Sequence, residues 1–399
     1  MKKHNRGLPR PAGRQSRLAA LRKRKMARSV GTFIRGSTGR FYAWLGASAA
    51  RIPRGPPIWI CGDCHVGNLG PVAGAEGDIH IQIRDFDHAT VGNPAHDLIR
   101  LGLSLAADAR GSDLSGVTTA RMLEHLVEKY AVSLTRRREP DAKHDASPKS
   151  LRKLIHVAAS RSWKQLADER IEGTEPTIPL SERFWPISAQ ERFEIRRIAA
   201  SDEMRSLVTS LRERENQATL RFLDAAYWVK GCSSLGRLRY AVLLGVEDKG
   251  GKIDDHCLID IKQAVQSAAP VAGRRRVPGN AAQRVVDGAR NLSPPIGERM
   301  HAARFLGRPV FVRELRPQDM KPQINRLSTE AALKLAGFLA TVVGQAHARQ
   351  MDGETRRSWR RELMGTLRTK DEAPSWLWTN VVELLGRHER AYLEHCRRL

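Results

Sequence analysis

Long apolar runs are missing from this sequence of 399 residues. A membrane-spanning helix needs about 20 of them. The best candidate, Leu335 to Ala346, is too short and contains Gly and Gln, so no transmembrane segment is expected. Cysteine is scarce too. Five scattered Cys exclude a disulfide scaffold. Gly (32) and Pro (20) are at ordinary levels, which excludes collagen-like or low-complexity chains. Acidic residues are absent from the first 54 positions, which carry 15 Lys and Arg. That segment also lacks the apolar core of a secretory signal, so the protein is expected to be cytoplasmic.

What is present is a folded chain with a large positive excess. Hydrophobic residues make up 41%, enough for a sizeable core and more than a disordered tail holds. Lys and Arg total 68 against 43 Asp and Glu, a net charge of +25. Such a charge suits partners that carry phosphates: a nucleotide, a nucleic acid or an anionic surface. With 15 units in the first 54 residues, +10 remains for residues 55–399. At this length two or three lobes are expected.

The pattern divides as a basic N-terminal arm (1–54), a first region with strands and helices (55–225), a β-rich region (226–320) and closing helices (321–399). Ile58–Cys61 is a short apolar run read as a buried strand. A glycine-rich loop follows from Gly62 to Gly77, then a strand over Ile79–Arg84 with period-two alternation. Asn93-Pro94 marks a turn, and Asp97 stands where a helix begins. From Leu114 to about Ala226 the periodicity is helical, apart from a proline-bearing loop at 173–186. Gly231 to Gly236 is a turn. Arg239–Val246 and Cys257–Ile261 read as two strands of a hairpin, Phe311–Leu315 as another strand, and Ala331–Arg349 as a strong helix.

The most informative stretch is Cys61-Gly62-Asp63-Cys64-His65-Val66-Gly67-Asn68. Cys61-x-x-Cys64-His65 matches a c-type haem attachment pattern, but that chemistry belongs to exported proteins. A redox pair would want a helix N-terminus, and no second pair completes a zinc site. Another reading passes over the cysteines. A hairpin would bring Asp63, Asn68 and Asp85 to one end. Two carboxylates and an amide oxygen suit a hard cation and phosphate, and a carboxylate near a hydroxyl can accept its proton during phosphoryl transfer.

These residues resemble the kinase-like phosphotransferases, in the style of aminoglycoside phosphotransferases and choline kinases. The catalytic loop of that superfamily reads His-Gly-Asp-x-His-x-x-Asn, and its metal segment begins Asp-Phe. Here the loop is Gly62-Asp63-x-His65-x-x-Asn68, with Cys61 in place of His, and the metal segment is Asp85-Phe86-Asp87. Gly92-Asn93-Pro94-Ala95-His96-Asp97-Leu98 looks like the run that follows it. The resemblance implies Asp63 as catalytic base, with His65 as a second candidate catalytic residue of the loop, Asn68 and Asp85 as Mg²⁺ ligands, and Asp97 as a loop anchor. Gly231, Ser233, Ser234 and Gly236 resemble the phosphate-covering loop, and Lys262 the lysine that holds ATP phosphates. Asp287 is the first choice for the acidic partner of Lys262. His347, near the end of the Ala331–Arg349 helix, reads as a residue favoured by the helix dipole.

The catalytic loop precedes the nucleotide region, the reverse of the usual order. The chain therefore resembles a circularly permuted kinase-like fold: α+β, two-lobed, with the larger lobe helix-rich. That order resembles the bacterial DUF2252 family, with Arg35-Gly36 as its first element and Ala346-His347-Ala348-Arg349 as its last. The implied activity is ATP- and Mg²⁺-dependent phosphoryl transfer to an unknown small-molecule or protein hydroxyl. The alternatives are transfer of AMP on the same scaffold, a nucleic-acid or anionic-surface binder acting through the basic arm, and a haem or redox protein.

Overall fold

The computed structural model describes residues 7–47, 52–74, 78–135, 177–209, 214, 218–272, 277–315, 328–365 and 376–399. Over these the chain is a mixed α+β protein with antiparallel sheets. Residues 136–176 of the region read as helical from Leu114 to about Ala226 lie outside them.

The N-terminal segment is folded. Helices α1 (Arg14–Met26), α2 (Val30–Gly36) and α3 (Thr38–Ala47) bury Leu18, Phe33, Ile34, Phe41 and Trp44. The basic segment is therefore packed into the protein over residues 14–47. Its apolar residues fall on helical faces that dock, and its cations occupy the remaining faces. Ser29 caps α2 by accepting from the Thr32 backbone N–H at 3.1 Å, the usual use of serine at such a position.

Strand β1 (Ile58–Ile60) pairs antiparallel with β4 (Thr90–Gly92). Between them β2 (Leu69–Ala73) and β3 (Ile79–Ile83) form a second hairpin, with Leu69 opposite Ile83. Strand β2 lies inside the stretch read as a glycine-rich loop. Leu69, Val72 and Ala73 are almost fully buried, and that burial outweighs the glycines around them.

Helices α4 (Ala95–Arg110) and α5 (Gly116–Ser133) follow. Nearly every side of α4 is buried, as befits a central helix. After β5 (Phe184–Trp185) come α6 (Ala189–Ala199) and α7 (Asp202–Thr209). Strand β6 (Thr219–Trp228) then replaces the helix expected up to Ala226. Its neighbour β7 (Arg239–Glu247) pairs with it from Thr219 to Tyr227, with a bulge at Phe222–Asp224. The Thr and aromatic residues of β6 suit a pleated surface, and the bulge breaks the alternation that would have marked a strand.

Strand β8 (Ile253–Gln263) pairs with β7 and with β10 (Arg308–Leu315), and β9 (Met300–Phe305) closes the edge. The six-stranded order is β5-β6-β7-β8-β10-β9. Helices α8 (Ala281–Leu292) and α9 (Pro294–Gly297) lie between β8 and β9 in sequence. Helices α10 (Thr329–Ala348), α11 (Gly353–Gly365) and α12 (Trp376–Arg397) end the chain.

Two main cores result. One gathers α3 to α5, the β1–β4 hairpins, α8 and the closing helices. The other lies on one face of the six-stranded sheet, with α6, α7 and Leu18 of α1. No described helix is long and apolar enough to cross a membrane.

Candidate functional site

Strand β1 delivers the loop that begins at Cys61. Gly62 has φ +74°, and a Cβ there would lie 2.1 Å from the His88 carbonyl oxygen, so only glycine fits. The backbone N–H groups of Cys61 and Gly62 donate to the two Asp97 carboxylate oxygens at 2.7 and 2.9 Å. Tyr42 donates its hydroxyl to the Gly62 carbonyl at 2.6 Å. Asp97 is thus a loop anchor by geometry. His347 extends the anchor. Its Nε2 is 3.2 Å from Asp97, and its Nδ1 is 2.9 Å from the Tyr130 hydroxyl, which accepts from Trp359 at 3.1 Å. His347 is wholly buried. It stands in the last turn of α10, as expected for a helix-end residue, and this chain of bonds fixes its place there.

Asp63 follows in the loop. Arg100, wholly buried on α4, donates to Oδ1, and the Thr38 hydroxyl donates to Oδ2 at 2.9 Å. Burial alone would push this carboxyl up. The Arg100 guanidinium outweighs it and holds Asp63 below the usual carboxylate range. A carboxylate has about four acceptor sites, so two bonds leave room for a hydroxyl donor. Asn68 donates its amide N–H to the Asp63 carbonyl at 2.9 Å, which leaves its amide oxygen as a ligand-type atom. His65 Nε2 lies 4.0 Å from Asp63 Oδ2. Burial lowers His65 to about 4, so it is neutral near pH 7 and sits beside the loop without a charge to offer.

The β2–β3 hairpin brings the second acidic segment alongside. The Arg84 backbone N–H donates to the Asn68 carbonyl at 2.9 Å, so Asn68 and Asp85 share one hairpin end. Lys262, buried on β8, reaches this end. Its Nζ is 3.5 Å from Asp85 Oδ1 and 2.7 Å from Asp87 Oδ2. It also lies over the Phe311 ring at 5.5 Å.

Asp287 is not the partner of Lys262. It sits on α8, accepting from Gln283 at 2.7 Å, with Arg290 3.8 Å away. The residue of α8 that reaches the acidic segment is Arg284, which donates to the Asp87 carbonyl at 2.7 Å. The carboxylates that meet Lys262 are therefore Asp87 and, at longer range, Asp85.

Gly231 and Gly236 have φ of +82° and +92°, and the turn between them holds Ser233 and Ser234. Ser234 donates its hydroxyl to the Lys230 carbonyl at 2.7 Å, which spends that hydroxyl within the turn. Arg237, just after the turn, places Nη1 3.6 Å from Asp87. Arg239 pairs with Asp260 on the next strand, Nε to Oδ1 at 2.9 Å. Helix α1 touches the turn from the N-terminal side, with Lys25 donating to the Gly231 carbonyl at 2.7 Å.

Sequence reasoning missed Asp87, Arg100, Thr38, Arg237 and the Arg239–Asp260 pair. One signal was present. A charged residue inside an apolar strand is unexpected, and that test, applied to Lys262, singles out Arg239 and Asp260 equally.

Cys61 and Cys64 are fully buried. Its hydrogen bond with Cys64, then burial, pushes the Cys61 thiol well up. The bond to Cys61 pulls the Cys64 thiol down, yet burial with Asp97 and Asp63 nearby carries it above the usual range. Protonated, enclosed thiols are poor nucleophiles, so these two act as packing residues beneath the loop. Among the described residues no group of three or more His, Cys, Asp and Glu could hold a metal ion by itself.

The fold and site define an α+β protein in which a buried lysine meets two aspartates beside an anchored Gly-Asp loop. A family model described as "Uncharacterized protein conserved in bacteria (DUF2252)" matches residues 14–398, and the chain belongs to this family. No curated protein and no solved structure matches it.

Proposed function

We propose that this protein is an ATP- and Mg²⁺-dependent phosphotransferase with a permuted kinase-like fold, acting on a hydroxyl acceptor. The observation that carries the reading is the approach of Lys262 to Asp85 at 3.5 Å, beside the loop holding Asp63 and Asn68. These are the groups that phosphoryl transfer asks for: a lysine for phosphates, oxygen ligands for a cation, and a carboxylate for the acceptor.

The donor set fits a hard cation. Mg²⁺ needs only one or two protein carboxylates, because phosphates and water complete its shell. Asp85 and the Asn68 amide oxygen would hold it, and it would neutralise charge on the phosphate oxygens. Lys262 would orient the phosphates. Asp63 stays ionised next to Arg100 and would orient the acceptor hydroxyl and take its proton, while Thr38 and Arg100 fix the direction of its carboxylate. Most of the rate would come from positioning and charge.

Calorimetric titration with Mg-ATP tests the reading. The wild-type chain should bind, and Lys262→Met and Asp85→Asn should each weaken binding about tenfold or more. Asp63→Asn should bind normally yet lose ATP turnover by about a hundredfold. No binding by the wild type, or equal binding by Lys262→Met, sinks the proposal.

A further inference from the structure

The N-terminal helices place cations at the glycine turn. Lys25 on α1 donates to the Gly231 carbonyl at 2.7 Å. Arg22, one helical turn earlier, donates to the Gly36 carbonyl at 3.2 Å. Gly36 is packed so closely on the turn that a Cβ there would lie 3.1 Å from Cys232 Sγ. Arg35 stands between the turn and the Asp63 loop. Its Cδ would lie 3.6 Å from a Cβ on Gly67, and its guanidinium donates to Thr32 Oγ1 at 3.1 Å, with Asp108 as its carboxylate neighbour.

The local electrostatics agree with this geometry. Burial raises the Cys232 thiol, and the three groups that pull it back are Arg22, Lys25 and Arg35. Lys25 is lowered by burial, and Arg28 and Arg183 lower it further against the opposite pull of Cys232. A buried Arg22 Nε has no hydrogen-bond partner among the described residues. Like charges gathered around one turn call for an anion to offset them.

We propose that Arg22, Lys25 and Arg35 form, with the Gly231–Gly236 turn, an anion site that takes the triphosphate tail of the nucleotide. This deepens the phosphotransferase reading, on which the choice of ligand rests. The N-terminal segment becomes part of the binding site, and Arg35 is the cation that faces both loops.

The probe is sodium tripolyphosphate without metal, titrated calorimetrically into the full chain at about 0.15 M salt. The double variant Arg22→Gln, Arg35→Gln should bind about tenfold or more weaker than wild type. A second measurement uses the unaltered chain: tripolyphosphate should protect Lys25 from an amine-acetylating reagent, read by mass spectrometry. Equal affinity in the double variant, or unchanged acetylation of Lys25, overturns the site. The two readings fail separately. Mg-ATP binding that needs Lys262 but ignores Arg22 and Arg35 leaves the phosphotransferase standing and removes the site. Arginine-dependent tripolyphosphate binding without Mg-ATP binding does the opposite.

Discussion

Single residues decide the candidate site. Gly62 turns the chain so that two backbone N–H groups meet Asp97, and any Cβ there collides with His88. Gly62→Ala should cost at least about 2 kcal/mol, measured by urea unfolding. Two buried histidines set an acid limit. Burial lowers His65 and His388 to about 4, against an unfolded value near 6.5. Between those values the unfolded chain binds more protons, so stability rises with pH there and is lost as pH falls from about 6.5 toward 4. Replacing His388 by Gln should flatten that part of a stability–pH profile, and an unchanged slope would count against the assignment. At this scale local motifs single out Asp63, Asn68, Asp85 and Lys262, and Lys262 does meet Asp85 in space. Arg100, Thr38 and Asp87 were not legible. Their roles exist only when α4, α3 and β8 are brought together, and no spacing along the chain encodes those meetings.

Elements tell the same story with a different cause. Strands β1, β3, β7, β8 and β10 and helix α10 follow from apolar period and length. Strand β6 does not, since its bulge at Phe222–Asp224 hides the alternation and sheet pairing supplies the structure. Charge concealed α1 more thoroughly. Its mean composition is so basic that Leu18 looks incidental, yet Leu18 is wholly buried against the sheet with Trp185, Tyr227 and Leu235. Leu18→Ala should cost about 2 to 5 kcal/mol, a surface-like change being the contrary outcome. Arg14 adds a buried pair with Glu191, Nη2 to Oε2 at 2.9 Å, and Glu191 also accepts from Tyr240 at 2.6 Å. Removing one partner of a buried pair costs about 3 to 5 kcal/mol. Arg14→Met should therefore lower the melting temperature more than Arg17→Met, in which the altered residue is an exposed cation of the same helix.

For the whole molecule, the net charge of +25 changes meaning. A solvated arm would be dispensable and would lend the protein to any polyanion. A segment that docks Leu18 in one core and Phe41 and Trp44 in the other ties both halves together. Deleting residues 1–47 should not leave a trimmed native protein. It should leave two exposed apolar surfaces, detected as strong binding of a hydrophobic dye and loss of a cooperative thermal transition. A truncated chain that melts like the full one would restore the arm.

The docking of α1 has a consequence for biogenesis. Arg14 and Leu18 leave the ribosome well before Glu191, Tyr227 and Leu235, so α1 must wait for partners made much later. Chains fold domain by domain as they emerge, and contacts distant in sequence form late. Stalled nascent chains should therefore stay open to trypsin at Arg17 and Lys23 until the β7–β8 hairpin has emerged, and become resistant only after it.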